Sequence, residues 1–219
     1  MSKAIAIYIN KQLQTFVNVD ESISFEHFNQ LKSSIESSIE QYYACVKNNT
    51  FLTRSPINLF DVRVYSIFLI IVAKTISIEY KSSRLADRIY LLNRYLHGCD
   101  IYHKVTMPKE FFLNYAGGIV LVNTTYGNKL VVYQGVTVGA THGKIPVIGD
   151  YVLIMPNCLI SGDSHIGSNV TISAGVKIIN QDVPSNSLVF QHGNGRDLVF
   201  KDNKRSYLDT YFFNRDSSE

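Results

Sequence analysis

Tryptophan is absent from this chain, cysteine occurs three times, proline five times, and only 18% of the 219 residues are charged. Cys45, Cys99 and Cys158 are odd in number and widely spaced. That excludes a disulfide framework and a cysteine-based zinc motif, and it points to a reducing, cytoplasmic setting. The net charge of +3 comes without a basic run interleaved with aromatics, so nucleic acid is not an expected partner. Long hydrophobic runs are also missing. The most apolar stretch, Val64 to Ala73, is bounded by Arg63 and Lys74 and falls far short of the ~20 residues of a membrane span. It predicts a buried helix. The first residues, Met1 to Gln12, carry no apolar core with a cleavage site, as a signal peptide would. The six histidines show no metal-binding spacing, so no metal is expected.

What the chain does have is a six-residue period. Ile148, Ile154, Ile160, Ile166, Ile172 and Ile178 recur without a slip, and the fifth places between them are small or β-branched: Val152, Cys158, Ser164, Val170 and Val176. Helices repeat near 3.6 residues and strands at 2; a hexad marks a parallel β-helix in which three short faces close one coil. The aliphatic residue of each hexad points inward. Ile101, Met107, Leu113 and Ile119, then Val120, Tyr126, Val132 and Val138, extend the pattern backwards. A one-residue slip falls at Ile119–Val120, and four extra residues lie between Val138 and Ile148. Extra residues cannot stay in a wall of fixed circumference, so they form an outward loop, the usual location of binding chemistry on a rigid scaffold.

The first half reads differently. Phe25, Phe28, Leu31, Ile35, Ile39 and Tyr42 form one helical stripe, with Ser24 as its N-cap. A second helix is expected from about Pro56 to Glu79, and a third carries Leu85, Ile89, Leu92 and Leu96 into Gly98. The fold class is thus α+β: an α-helical region over residues 1–97, then a left-handed parallel β-helix of hexapeptide repeats over 98–200, then a tail over 201–219. Asp182 to Asn186 reads as the exit from the last regular coil, and the aromatics of the tail allow a short closing element. The helices serve either as a cap on the open end of the solenoid or as an oligomerisation surface.

Several phrases carry a resemblance: D-I-Y-H at Asp100 to His103, G-G-I-V at Gly117 to Val120, Q-G-V-T-V-G at Gln134 to Gly139, I-G-D-Y-V from Ile148 and D-V-P-S-N-S from Asp182. Together with the hexads they resemble the hexapeptide-repeat acyltransferases, serine O-acetyltransferases in particular. The phrase from Ala86 to Ile101 is similar to a branch found among capsule and O-antigen gene products, whose setting is polysaccharide biosynthesis. The resemblance implies an acyltransferase that moves acetyl from acetyl-CoA to a hydroxyl, working as a homotrimer with coenzyme A in the groove between neighbouring subunits. The acceptor it implies is a sugar, a glycan or a related small molecule.

Attack by an alcohol on a thioester needs a base, and histidine suits the task. In the serine-acetyltransferase pattern the base follows the first-coil aspartate by fifteen residues. Counting from Asp100 gives Tyr115, preceded by Asn114 where the family carries an acid. A phenol keeps its proton at neutral pH and is a poor base. The Arg-Asp-Pro phrase associated with serine binding is absent from the helical half, so free serine is not the expected acceptor. His142, in T-H-G-K of the outward loop, is the remaining candidate, as base or as substrate ligand; the plain reading is a loop residue filling space. His165 and His192 read as turn residues, His97 and His103 as structural, and His27 as part of a helix. For coenzyme A the resemblance implies Gly139 and Ala140 at the loop and the small face Ser173, Ala174 and Gly175, with Lys177, Arg196 and Lys201 near the phosphates. The other function open to such a chain is a catalytically degenerate β-helix that binds a ligand or partner enzyme without turnover.

Overall fold

A computed structural model describes residues 1–17, 25–52, 56–81, 83–193, 197–203 and 207–213. Four helices come first. Helix α1 (Ser2–Phe16), which no stripe in the sequence reading anticipated, buries Ile5, Ala6, Ile9 and Leu13. Helix α2 (Phe25–Val46) buries Leu31, Ile35 and Tyr42 of the expected stripe, while Phe25 at its start is 82% exposed. The cap expected at Ser24 lies outside the described residues.

Helix α3 (Val62–Glu79) begins six residues later than Pro56. The reason is local: Asp61 is in an extended conformation and its side chain accepts from the backbone N–H of Arg63 at 2.9 Å, which makes it the N-cap. Every residue from Val64 to Ala73 is buried, so α3 is the centre of the helical layer. Among the described residues no helix is long and apolar enough to cross a membrane. Helix α4 (Ser83–His97) buries Leu85, Ile89 and Leu92 and stops at Gly98, whose φ of +64° suits glycine. The Gly98 carbonyl accepts from the Gly118 N–H at 3.0 Å, which fastens the end of the helix to the first coil.

From there the chain winds into a parallel β-helix of about five turns. Face one holds β1 (Asp100–Ile101), β3 (Val120–Leu121), β5 (Thr137–Gly139), β8 (Leu159–Ser161) and β11 (Lys177–Ile179), in that order. Face two holds β2 (Phe111–Asn114), β4 (Leu130–Tyr133), β7 (Val152–Ile154), β10 (Val170–Ile172) and β12 (Ser187–Gln191), with β13 (Leu198–Asp202) added antiparallel at its edge. Face three is β6 (Val147–Ile148) paired with β9 (His165–Ile166), extended by bridges at Tyr126 and Val183.

The isoleucine ladder stacks as expected. Ile154 pairs with Ile172, Ile160 with Ile178 and Ile148 with Ile166, eighteen residues apart, and all six are at most 3% exposed. Each contributes about 1.5–3 kcal/mol by leaving water. The fifth places, Val152, Cys158, Ser164, Val170 and Val176, are buried beside them.

The backward extension needs one correction. Leu121, not Val120, occupies the inward rung between Ile101 and Val138, and Val120 is only half-buried. Ile119 is fully buried, but in the supporting place two residues before the rung that Cys99, Val136, Cys158 and Val176 fill in other coils. The one-residue slip is therefore not taken at Ile119–Val120 but shared between a widened corner from Leu113 to Leu121 and a shortened step from Leu121 to Tyr126. Nor does the coil end at Asp182 to Asn186: Val183 and Val189 continue the inward rows. The tail then returns to the helices through α5 (Tyr207–Tyr211), with Phe212 packed against Phe51, Phe112 and Tyr133 and a bridge from Phe213 to Asn49.

Candidate functional site

The four extra residues form a tight hairpin. Thr141 and Lys144 exchange both backbone hydrogen bonds, at 2.9 and 3.0 Å, and the two residues between them, His142 and Gly143, have φ of +49° and +76°. Positive φ at both central residues matches the sharp turn that the right-handed twist of paired strands favours. The hairpin is tied to the next coil by Thr141 Oγ1 to Ser161 Oγ at 2.9 Å and by Lys144 to Asp163 at 3.6 Å. His142 thus stands exposed at the tip of a braced projection. Gly139 ends β5 opposite Ser161, and Ala140 follows it into solvent.

Tyr115 lies elsewhere. It is 64% exposed with φ of +57°, at the corner between β2 and β3, with Asn114 half-buried just before it. Arg63, raised above its ordinary range chiefly by its hydrogen bond to Asp61 at 2.7 Å, also receives smaller electrostatic contributions from Tyr115 and Tyr42. Asp61 is correspondingly pulled below the usual carboxylate range, first by its side-chain hydrogen bond to Arg63. Asp100, the first-coil aspartate from which the base position is counted, is engaged by α4: Tyr90 Oη donates to its Oδ1 at 2.5 Å, and Arg94 approaches its Oδ2 at 3.5 Å. No hydrogen bond joins Asp100 to Tyr115 among the described residues.

Strand direction separates the candidates further. All strands of face one run parallel. Tyr115 precedes β3, and Ser173, Ala174 and Gly175 precede β11, so these sit along the edge where the strands begin. Gly139, Ala140 and His142 sit along the edge where they end. Ser173 is half-buried, Ala174 and Gly175 are exposed, and a side-chain carbon added at Gly175 would meet nothing within 4 Å. Lys177 is exposed at the start of β11. Lys201 is on β13, a neighbouring face, with its ammonium 5.2 Å from the centre of the Phe190 ring. Arg196 lies outside the described residues. One chain therefore spreads the expected site over two edges of one face and does not gather it.

A further pair went unread in the sequence. His165 Nδ1 is 2.9 Å from Asp182 Oδ1, which also accepts the His165 backbone N–H, and Asp182 is drawn below its ordinary range, first by the side-chain hydrogen bond. The two are 17 residues apart, close to one coil, and that spacing was the available signal. The three cysteines are buried, and burial raises their thiols to about 12, 12 and 11 at Cys45, Cys99 and Cys158. Among the described residues no group of three or more His, Cys, Asp or Glu could hold a metal ion.

Helices fastened to a parallel hexad β-helix define the class of fold. Residues 145–180 match the family described as Bacterial transferase hexapeptide (six repeats). The chain is similar to the serine acetyltransferase of Staphylococcus aureus strain COL, 38% identical over 116 residues that make up 51% of this chain and 53% of that protein. It is similar to that of Staphylococcus epidermidis strain RP62A at 38% over 117 residues, 50% and 54% of the two chains. The matched segment thus spans about half the length of these curated relatives. Among solved structures, serine acetyltransferase from Brucella abortus strain S19 aligns with a TM-score of 0.68 at 20% identity, covering 92% of this chain and 84% of that one. A serine acetyltransferase in complex with CoA aligns with a TM-score of 0.68 at 18% identity, covering 90% and 83%. At such identities the solved structures speak for the fold.

Proposed function

We propose that this protein is an acetyl-CoA-dependent O-acetyltransferase acting on a hydroxyl of a sugar, a glycan or a related small acceptor. The observation that carries the reading is the braced hairpin, which holds His142 at its tip beside a face bearing small residues at both ends. In this reading the pantetheine arm lies along face one past Gly139 and Ala140, with Ser173, Ala174 and Gly175 on the opposite edge. Lys177 and Lys201 meet the phosphates. The imidazole of His142 takes the hydroxyl proton as the acceptor oxygen attacks the thioester carbonyl. The C–S bond then breaks, and the sulfur leaves as the CoA thiol once it regains that proton.

A site split over two edges calls for a neighbouring copy to complete it, and a cyclic homotrimer in the cytoplasm brings the starting edge of one chain to the finishing edge of the next. Support for acetyl transfer comes from the hexapeptide match and from the curated relatives named as serine acetyltransferases. Tyr115, Asn114 and the engagement of Asp100 by Tyr90 favour an acceptor other than free serine.

The same three observations also support a second reading, a degenerate β-helix that binds a ligand or partner enzyme without turnover. Thiol release from acetyl-CoA, followed across a panel of hexoses, short glycans and free serine, separates the two. Release with a sugar supports the proposal, release with serine alone reassigns the acceptor, and no release with any leaves the binding protein.

A further inference from the structure

A well-formed cavity lies away from the hairpin that carries His142. It is a cleft of about 570 Å³ between α2, α3 and the loop of the first coil from Tyr102 to Phe111. That size falls in the range of small-molecule sites. Its walls are apolar, formed mainly by Ile70, Ile71, Val105, Met107 and Phe111.

Two polar features give the cleft a chemistry. His103 lines it, is 2% exposed, and has an Nδ1 with no hydrogen-bond partner. The tautomer follows from the other ring nitrogen. Nε2 lies 3.0 Å from Asp87 Oδ1, which also accepts from Tyr102 Oη at 2.8 Å. A carboxylate only accepts, so Nε2 carries a proton, and when the ring is neutral Nδ1 offers a buried lone pair. A buried acceptor without a partner is costly, and what it lacks is a donor.

The second feature is charge. Lys74 on α3 and Lys109 on the loop both line the cleft, and neither forms an ion pair or hydrogen bond among the described residues. The one carboxylate in the lining, Glu110, is already occupied, since its Oε1 accepts from Asn48 Nδ2 at 2.7 Å. The lining therefore keeps an excess of positive charge at its rim.

We propose that this cleft is a binding site for a small molecule with an apolar ring or short chain, a hydroxyl that donates to His103 Nδ1, and a carboxylate that meets Lys74. Such a ligand bridges the helices and the first coil. The proposal does not depend on the transferase reading: Tyr102 and His103 follow β1 at the finishing edge of face one, but none of the cleft residues lies on the hairpin or among those assigned to coenzyme A.

The test uses the full chain and 4-hydroxyphenylacetate as probe, followed by calorimetric titration and by thermal shift. Saturable one-to-one binding is expected. Ala44, exposed on α2 and lining the cleft, can be replaced without disturbing the core; Ala44→Trp fills the space and should weaken binding at least about tenfold. Lys74→Met should weaken the acid about tenfold, the equivalent of one charge-assisted contact, and leave 4-methylphenol unchanged. The proposal is overturned if the wild-type chain shows no saturable binding, which would leave water or a neighbouring copy in the cleft. Equal binding by Ala44→Trp would overturn it too, and equal loss of both probes in Lys74→Met would remove the carboxylate from its terms.

Discussion

The hydroxyl of Tyr90 donates to Oδ1 of Asp100 at 2.5 Å, joining the last helix to the first strand of the β-helix. Burial, and then this bond, raise the Tyr90 phenol above its ordinary range. One oxygen of the Asp100 carboxylate is thereby committed to the junction. Tyr90→Phe should cost about 1 kcal/mol, since the acceptor is charged but partly solvated. Urea denaturation followed by circular dichroism measures it, and a variant as stable as the parent would show that the bond contributes nothing.

Coil stacking leaves no room at Gly127. A side-chain carbon built there would lie 2.2 Å from the carbonyl carbon of Gly149 in the next coil. Both partners are backbone, so only separation of two coils relieves the clash. Gly127→Ala should lose upwards of about 3 kcal/mol, whereas Gly193→Ala, with nothing within 4 Å, should leave thermal stability unchanged.

His97 supplies a pH dependence. Burial lowers its imidazole to about 4, and it sits edge-on to Tyr65 with Nδ1 2.7 Å from Asn93 Oδ1. In the unfolded chain histidine titrates near ~6.5. Between these values the unfolded state holds the extra proton, so stability rises with pH across that window and is lost as pH falls from about 6.5 toward 4. His97→Gln should reduce the fall in melting temperature between pH 7 and pH 4.5 by a few degrees. An unchanged difference between the two pH values would argue against a depressed imidazole.

The two candidate bases make opposite kinetic predictions. If His142 takes the hydroxyl proton, His142→Ala should lower kcat by at least about a hundredfold and leave the KM for acetyl-CoA within about twofold. Tyr115→Phe should stay within about threefold of the parent in kcat, because the phenol has no hydrogen bond to Asp100. Steady-state rates with the best acceptor decide it, and the reverse pattern would move the base to Tyr115.

The repeat was legible because stacking demands it: each inward isoleucine must meet its equivalent one coil away, so the period is written residue by residue from Ile148 to Ile178. Where three apolar residues run together, at Ile119, Val120 and Leu121, periodicity cannot say which one faces in. The corner before them is two residues wider than a hexad allows, and only strand pairing identifies Leu121. The start of α3 was hidden for a similar reason, since Pro56 is a common first helical residue but the side chain of Asp61 caps the chain five residues later.

By itself, then, the sequence determined the architecture: helices, then hexad coils, then an outward excursion at His142, because a repeating burial requirement leaves a repeating composition. Tertiary structure alone decided which groups meet. It gave Asp100 to Tyr90, paired His165 with Asp182, set Tyr115 and His142 on opposite edges of one face, and left His103 Nδ1 without a partner in a cleft. Those relationships depend on coil circumference and strand direction, which bring distant residues together at spacings no local pattern records.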